Sequence, residues 1–149
     1  MIGRIAASYE RNPQRREDLL QEIGIALWRA LPGWRAEASL RTFVARIAHH
    51  RGVDHVASAG RHRHEALDED LHDERQAGPL HAAETQDRNK RLLDAIRRLP
   101  LGQRQPLVLA VEGFSQREIA QTLGLQENAV AQRISRARAA VRQMLEDAR

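Results

Sequence analysis

With 149 residues, 24 basic and 20 acidic side chains and a net charge of +4, the chain has the length of one domain or two small ones. The absence of cysteine excludes disulfides, thiolate zinc sites and thiol redox sensing within these residues, and no apolar run is long enough to span a membrane. A cytoplasmic protein without membrane insertion is expected, and a basic set that is all arginine except Lys90 suits planar, bidentate contacts to nucleic acid.

Met1 to Asn12 reads as the end of a helix with Ile2, Ile5 and Ala6 on one side, stopped at Asn12-Pro13. A helix follows from about Arg15 to Leu31, with Leu19, Ile23, Ala26 and Ala30 as its core stripe and Leu20 and Leu27 beside it. Its other face gathers Asp18, Gln21, Ile25 and Trp28. So short a chain has little material to cover a second apolar side, so this face is expected to meet a partner.

Pro32-Gly33-Trp34-Arg35 opens a loop, and Ser39 caps a third helix expected to run to about Ala57. Leu40, Phe43, Val44 and Ile47 form its expected core face. Arg41, Arg46, His49, Arg51 and His55 spread over the remainder. Beside Trp34, such a basic helix fits single-stranded DNA, because bases stack on aromatics and phosphates meet arginines. The plainer reading is a solvated face with one anchoring tryptophan.

Residues 58–83 read as a linker. It opens with Arg61-His62-Arg63-His64, turns acidic through Glu65, Asp68, Glu69, Asp70, Asp73 and Glu74, and passes Gly78-Pro79. This acidity is expected to keep the flanking halves from collapsing onto one site. His62, His64, His72 and His81 lack helical metal-ligand spacing, so neutral histidines are expected and no metal. Beyond the linker, a helix from Glu84 carries Leu92, Leu93 and Ile96 to Leu99-Pro100. A short helix marked by Leu107, Val108 and Val111 follows, its start blurred by Pro106.

The stretch from Gly113 to Arg138 reads as a helix-turn-helix. Ser115 and Glu118 have capping-box spacing, Ile119, Ala120 and Leu123 share a face, and Gly124 suits the left-handed corner plugged by Leu125. The second helix starts near Glu127 and repeats Val130, Ile134, Ala137 and Val141 along its buried stripe. Asn128, Gln132, Ser135 and Arg136 face away from that stripe, with Arg133 and Arg138 on the flanks. Amides, hydroxyls and guanidinium groups are the types that read base edges and hold phosphates in a major groove.

Two blocks resemble the sigma-70 family of RNA polymerase sigma factors, of the small extracytoplasmic-function type. Arg16 to Leu31, with Ser39-Leu40-Arg41-Thr42-Phe43 through Arg46-Ile47-Ala48 and Asp54-His55, resembles its region 2. Leu99-Pro100 through Glu112-Gly113-Phe114-Ser115, Glu118-Ile119-Ala120, Leu123-Gly124 and Val130 to Arg138 resembles region 4.

The resemblance implies an all-α chain of two small helical domains joined by a flexible linker. Region 2 would span 1–57 and begin inside its first helix, the linker 58–83, and region 4 with its helix-turn-helix 84–149. It also implies a transcription initiation factor rather than an enzyme, without a cofactor. Its partners would be RNA polymerase core (the β′ clamp and the β flap), promoter DNA and an anti-sigma factor. Asp18, Gln21, Glu22, Ile25 and Trp28 would dock on core. Trp34, Arg35, Arg41, Arg46, His49, Arg51 and His55 would handle the −10 element, and Ser115, Asn128, Gln132, Arg133, Ser135, Arg136 and Arg138 the −35 element. His50, Ala45 and Ala131 depart from the residues usual in the family. The runner-up is a regulator that uses the helix-turn-helix without binding core. A nuclease built on His50, Asp54 and His55 stands third, since an i, i+4 contact explains His50 and Asp54 more simply.

Overall fold

The computed structural model describes residues 1–62 and 80–148, and among them every α or 3-10 element is helical and none is a strand. The acidic stretch of the linker, with His64 and His72, lies outside the described residues, as do the side chains of His62 and His81.

Helix α1 (Ile2–Tyr9) buries Ile5, Ala6, Ser8 and Tyr9. Helix α2 (Pro13–Ala30) begins at Asn12, whose side-chain oxygen accepts from the N–H groups of Gln14 at 2.9 Å and Arg15 at 3.1 Å. Pro13 sits at the first helical position, where its missing N–H leaves nothing unpaired. Leu19 and Ile23 are fully buried and Leu20, Ala26, Leu27 and Ala30 half-buried, which is the expected stripe. A 3-10 turn, Leu31–Gly33, then ends α2.

Helix α3 (Leu40–His62) starts where Ser39 Oγ accepts from the Thr42 N–H at 3.1 Å, and runs five residues past Ala57. Its buried side is not the expected one. Leu40 is exposed and Phe43, Val44 and Ile47 are half-buried, whereas Thr42, Ala45, Ala48, His49 and Gly52 face the interior. The reason is close approach of α1. A Cβ on Gly52 would lie 2.4 Å from Tyr9 Cδ2, so only small residues let the Tyr9 ring reach α3.

The C-terminal half holds α4 (Leu80–Arg98), α5 (Leu101–Val111), α6 (Gln116–Leu123) and α7 (Glu127–Asp147). Helix α4 begins four residues before Glu84. Pro106 does not start α5 but sits inside it, where it removes the bond that the Gly102 carbonyl would accept. The Arg133 guanidinium of α7 approaches that carbonyl at 3.5 Å, so a donor 31 residues away covers the vacated acceptor. Val130, Ile134, Ala137 and Val141 are buried, as their spacing requires.

The two halves share an interface, which corrects the expectation that linker charge holds them apart. It combines bonds to backbone carbonyls with the Arg4–Glu112 ion pair. Arg97 donates to Ala7 O at 2.8 Å and Glu10 O at 3.4 Å, and Arg104 to Ser8 O at 3.4 Å. These carbonyls end α1, so the second half caps the first helix of the first half. Arg104 also donates to Arg97 O and, at 2.9 Å, to Leu99 O, satisfying the end of α4. Burial lowers the pKa of both arginines, opposed at Arg97 by the bond to Asp94.

Candidate nucleic-acid interface

Helix α2 presents Asp18, Gln21, Glu22, Ile25 and Trp28 to solvent on one side. Trp28 is 81% exposed and Ile25 52%, because the opposite side of α2 is already filled by Leu19 and Ile23. An indole that bare is an exposed apolar patch on an ordered helix. Burying such a side chain against a partner contributes about 1.5–3 kcal/mol.

At the Pro-Gly loop, Trp34 is half-buried. Its indole N–H donates to Ala38 O at 3.2 Å and its ring lies 6.5 Å from that of Phe43, while Arg35 is exposed. On α3, Arg41, Arg46 and Arg51 are exposed, but two of them already hold the other half. The Arg41 guanidinium sits over the Phe114 ring, 3.9 Å from its centroid, and donates to Glu112 O. Arg46 donates to Gln121 O at 2.8 Å. Arg51 pairs with Asp54 at 3.6 Å.

His49 does not belong to this surface. It is 2% exposed, and its Nδ1 lies 2.6 Å from the Tyr9 hydroxyl. Burial pushes its pKa down to about 4 and that of Tyr9 up to about 12. The rotation of the α3 core face is the cause, and it also makes Ala45 an interior residue. His55 is taken up as well, bonding Glu10 Oε2 at 2.7 Å.

The helix-turn-helix has the expected local chemistry. Ser115 Oγ accepts from the Glu118 N–H at 3.2 Å, and Glu118 Oε2 accepts from the Ser115 N–H at 2.7 Å. The Ser115 backbone bond holds the Glu118 carboxyl below the usual carboxylate range. Gly124 closes α6 at φ 66°, in the left-handed region. Asn128, Gln132, Ser135, Arg136 and Arg138 are exposed together on α7. Arg133 is half-buried on Gly102, and the Ser115 hydroxyl is occupied by its cap.

Sequence reasoning passed over Glu112. Its carboxylate accepts from Arg4 twice, the longer bond at 2.8 Å, and lies 3.9 Å from the Met1 amine. The bond from Arg4 is the main cause of its lowered pKa. One signal was available: an acid just past the end of a helix opposes the dipole and calls for a cationic partner. Among the described residues no group of three or more His, Asp or Glu side chains could hold a metal ion. None of the described helices is long and apolar enough to cross a membrane.

Two helical lobes, one with a bare apolar-acidic helix and one with a helix-turn-helix, define a two-region helical architecture. Residues 1–62 match the family model of Sigma-70 region 2, and residues 89–141 that of Sigma-70, region 4. The chain belongs to the sigma-70 family. It is 30% identical over 152 aligned positions to the probable RNA polymerase sigma factor RfaY of Xanthomonas campestris pv. campestris. That match covers 97% of the chain, which spans 37% of the relative's length.

Two solved structures share the fold. The sigma factor RpoE, in complex with the anti-sigma factor NepR from Bartonella quintana, superposes with a TM-score of 0.75 at 20% identity. The alignment covers 99% of this chain and 91% of that one. CnrH, in complex with the cytosolic domain of CnrY, gives a TM-score of 0.69 at 27% identity, over 98% and 80% of the two chains.

Proposed function

We propose that the chain is a transcription initiation factor that binds RNA polymerase core and directs it to specific promoters through −10 and −35 recognition and promoter melting. The observation that carries this reading is the exposed α2 face. A regulator working through its helix-turn-helix alone has no need of a bare Trp28 beside Ile25, Asp18, Gln21 and Glu22. This face is assigned to the β′ clamp, residues 1–57 to the −10 side, 58–83 to the connection and 84–149 to the −35 side and the β flap. Polymerase performs the chemistry, so no catalytic residue or cofactor is assigned to this chain, and it acts in the cytoplasm.

On the −10 side the acting residues are Trp34, Arg35, Arg41, Arg46 and Arg51; His49, being buried, drops out, and His55 is held by Glu10. On the −35 side Asn128, Gln132, Ser135 and Arg136 read bases and Arg138 holds phosphate, with Ser115 and Arg133 shaping the motif. An anti-sigma factor is a further partner, supported by the similar fold of RpoE having been solved in complex with one. The test is core binding: Asp18→Arg with Trp28→Ala is expected to abolish capture by core polymerase. Undiminished capture would remove the basis for the reading.

A further inference from the structure

The turn that opens the helix-turn-helix is built by the end of α5 alone. Gly113 takes the left-handed conformation at φ 83°, its N–H donates to Ala110 O at 3.0 Å, and the Phe114 N–H donates to Leu109 O at 3.1 Å. Those two bonds make a Schellman motif, which fixes the turn without help from the first half. Neither bond uses the Glu112 carbonyl, which lies at the C-terminal end of α5, where the helix dipole favours a cation.

On this turn sits the guanidinium of Arg41. Its Cζ lies 3.9 Å from the centroid of the Phe114 ring, over the ring face, and its Nη2 donates to Glu112 O. Two carboxylates stand beside it. The Arg4 bond at Glu112 and the Ser115 backbone bond at Glu118 are the main causes of their lowered pKa values, and the charge of Arg41 adds to both. A planar cation can stack on a ring and donate in its own plane at the same time; a compact ammonium cannot do both.

We propose that this turn is an arginine-binding site, filled by Arg41 in the packed chain and by an arginine of a partner protein once Arg41 has left it. Glu112, Gly113, Phe114 and Glu118 all belong to the second half, so the site stays intact when the halves part. Its floor is the Phe114 ring, which is buried while Arg41 covers it and which water cannot satisfy as a guanidinium does. A phosphate backbone meets two carboxylates and a helix-end carbonyl there and is repelled, so promoter DNA does not take the place of Arg41. That Arg41 leaves its site for the promoter rests on the proposed function; the preference of the site for a guanidinium does not.

The full-length Arg41→Ala variant, without polymerase, tests the site with capped Gly-Arg-Gly and Gly-Lys-Gly peptides at constant ionic strength. Arg41 is exposed on α3, so its removal takes nothing from either core. The NMR resonances of the Phe114 ring and the Gly113 amide are expected to shift saturably with the arginine peptide, in the millimolar range. The lysine peptide is expected to bind about fivefold or more weakly. Phe114→Leu in the same background keeps an apolar side chain under the turn. It is expected to weaken the arginine peptide by about two- to thirtyfold, the span of a cation–π contact from exposed to desolvated. The parent, whose own Arg41 fills the site, is expected to bind about tenfold or more weakly than Arg41→Ala. The proposal is overturned if the arginine peptide gives no saturable shift at Phe114 and Gly113, or if the lysine peptide binds as tightly. It also fails if the Phe114→Leu variant or the parent binds like Arg41→Ala. Peptide binding by a protein that does not redirect core polymerase would keep the site and remove the functional reading.

Discussion

The guanidinium of Arg41 lies 3.9 Å from the centroid of the Phe114 ring, joining helix α3 to the turn that opens the helix-turn-helix. Arg46, one and a half turns on, holds Gln121 O at 2.8 Å. Both arginines were expected on the −10 element. A guanidinium stacked on Phe114 and bonded to a carbonyl is not free for a phosphate, so promoter contact by these side chains requires the halves to part. Parting also uncaps the carbonyl end of α1, which Arg97 and Arg104 cover.

Glu112 is the acid at the centre of this contact, and its pH response has a definite sign. The bond from Arg4 lowers its folded pKa, so its contribution is present above the unfolded carboxylate value and is lost as pH falls through the folded value. Distance measurement between dyes on α2 and α7 is expected to show the halves separating as the solution is acidified. Glu112→Gln is expected to show the separated distance at neutral pH already. An acid-insensitive distance in the parent protein would show that Glu112 is not a latch.

Gly52→Ala is expected to destabilise the fold by about 1–3 kcal/mol through overpacking, because the added Cβ meets Tyr9 Cδ2 at 2.4 Å. Urea denaturation measures this. Gly24→Ala on exposed α2, which meets nothing, is the control and is expected to stabilise slightly.

His49 gives a second pH dependence of the same direction at higher pH. Its pKa is about 4 when folded against 6.5 for the free side chain. The unfolded chain therefore takes up the proton first, and stability present above pH 6.5 is lost as pH falls towards 4. The shift corresponds to about 3 kcal/mol. Tyr9→Phe/His49→Phe is expected to flatten the unfolding free energy over that window. An unchanged slope would place the titration elsewhere.

Recognition by α7 divides into two kinds of effect. Gln132→Ala is expected to change which −35 sequences are used, because on the proposed reading this exposed amide contacts base edges. Arg138→Ala is expected to weaken binding to all sequences and reduce the salt slope by about 1. A uniform loss in the Gln132 variant across a promoter library would show that Gln132 does not read bases.

The parts of this fold that could be read from sequence are those where burial coincides with size. On α7, Val130, Ile134, Ala137 and Val141 alternate with amides and arginines, and the buried stripe is where they are. Helix α3 could not be read this way. Its buried positions are Thr42, Ala45, Ala48, His49 and Gly52, small or polar residues chosen by the close approach of Tyr9, while its large apolar residues stay near the surface. His49 was placed on DNA for the same reason. Pro106 obscured the start of α5 because the group that covers Gly102 O is Arg133, far along the chain. The exposure of the α2 face was legible, since a helix with two apolar sides needs two neighbours and the described residues supply one.

The central claim, that this chain programs polymerase core for particular promoters, is tested most directly by reconstituted transcription. Core polymerase is incubated with a promoter library, with and without the protein, and start sites are sequenced. Start sites that appear only with the protein, share −10 and −35 sequences, and disappear with the Asp18→Arg/Trp28→Ala variant are the predicted result. A start-site profile unchanged by adding the protein, with the helix-turn-helix still binding duplex DNA, would contradict the account and leave a regulator that does not use core.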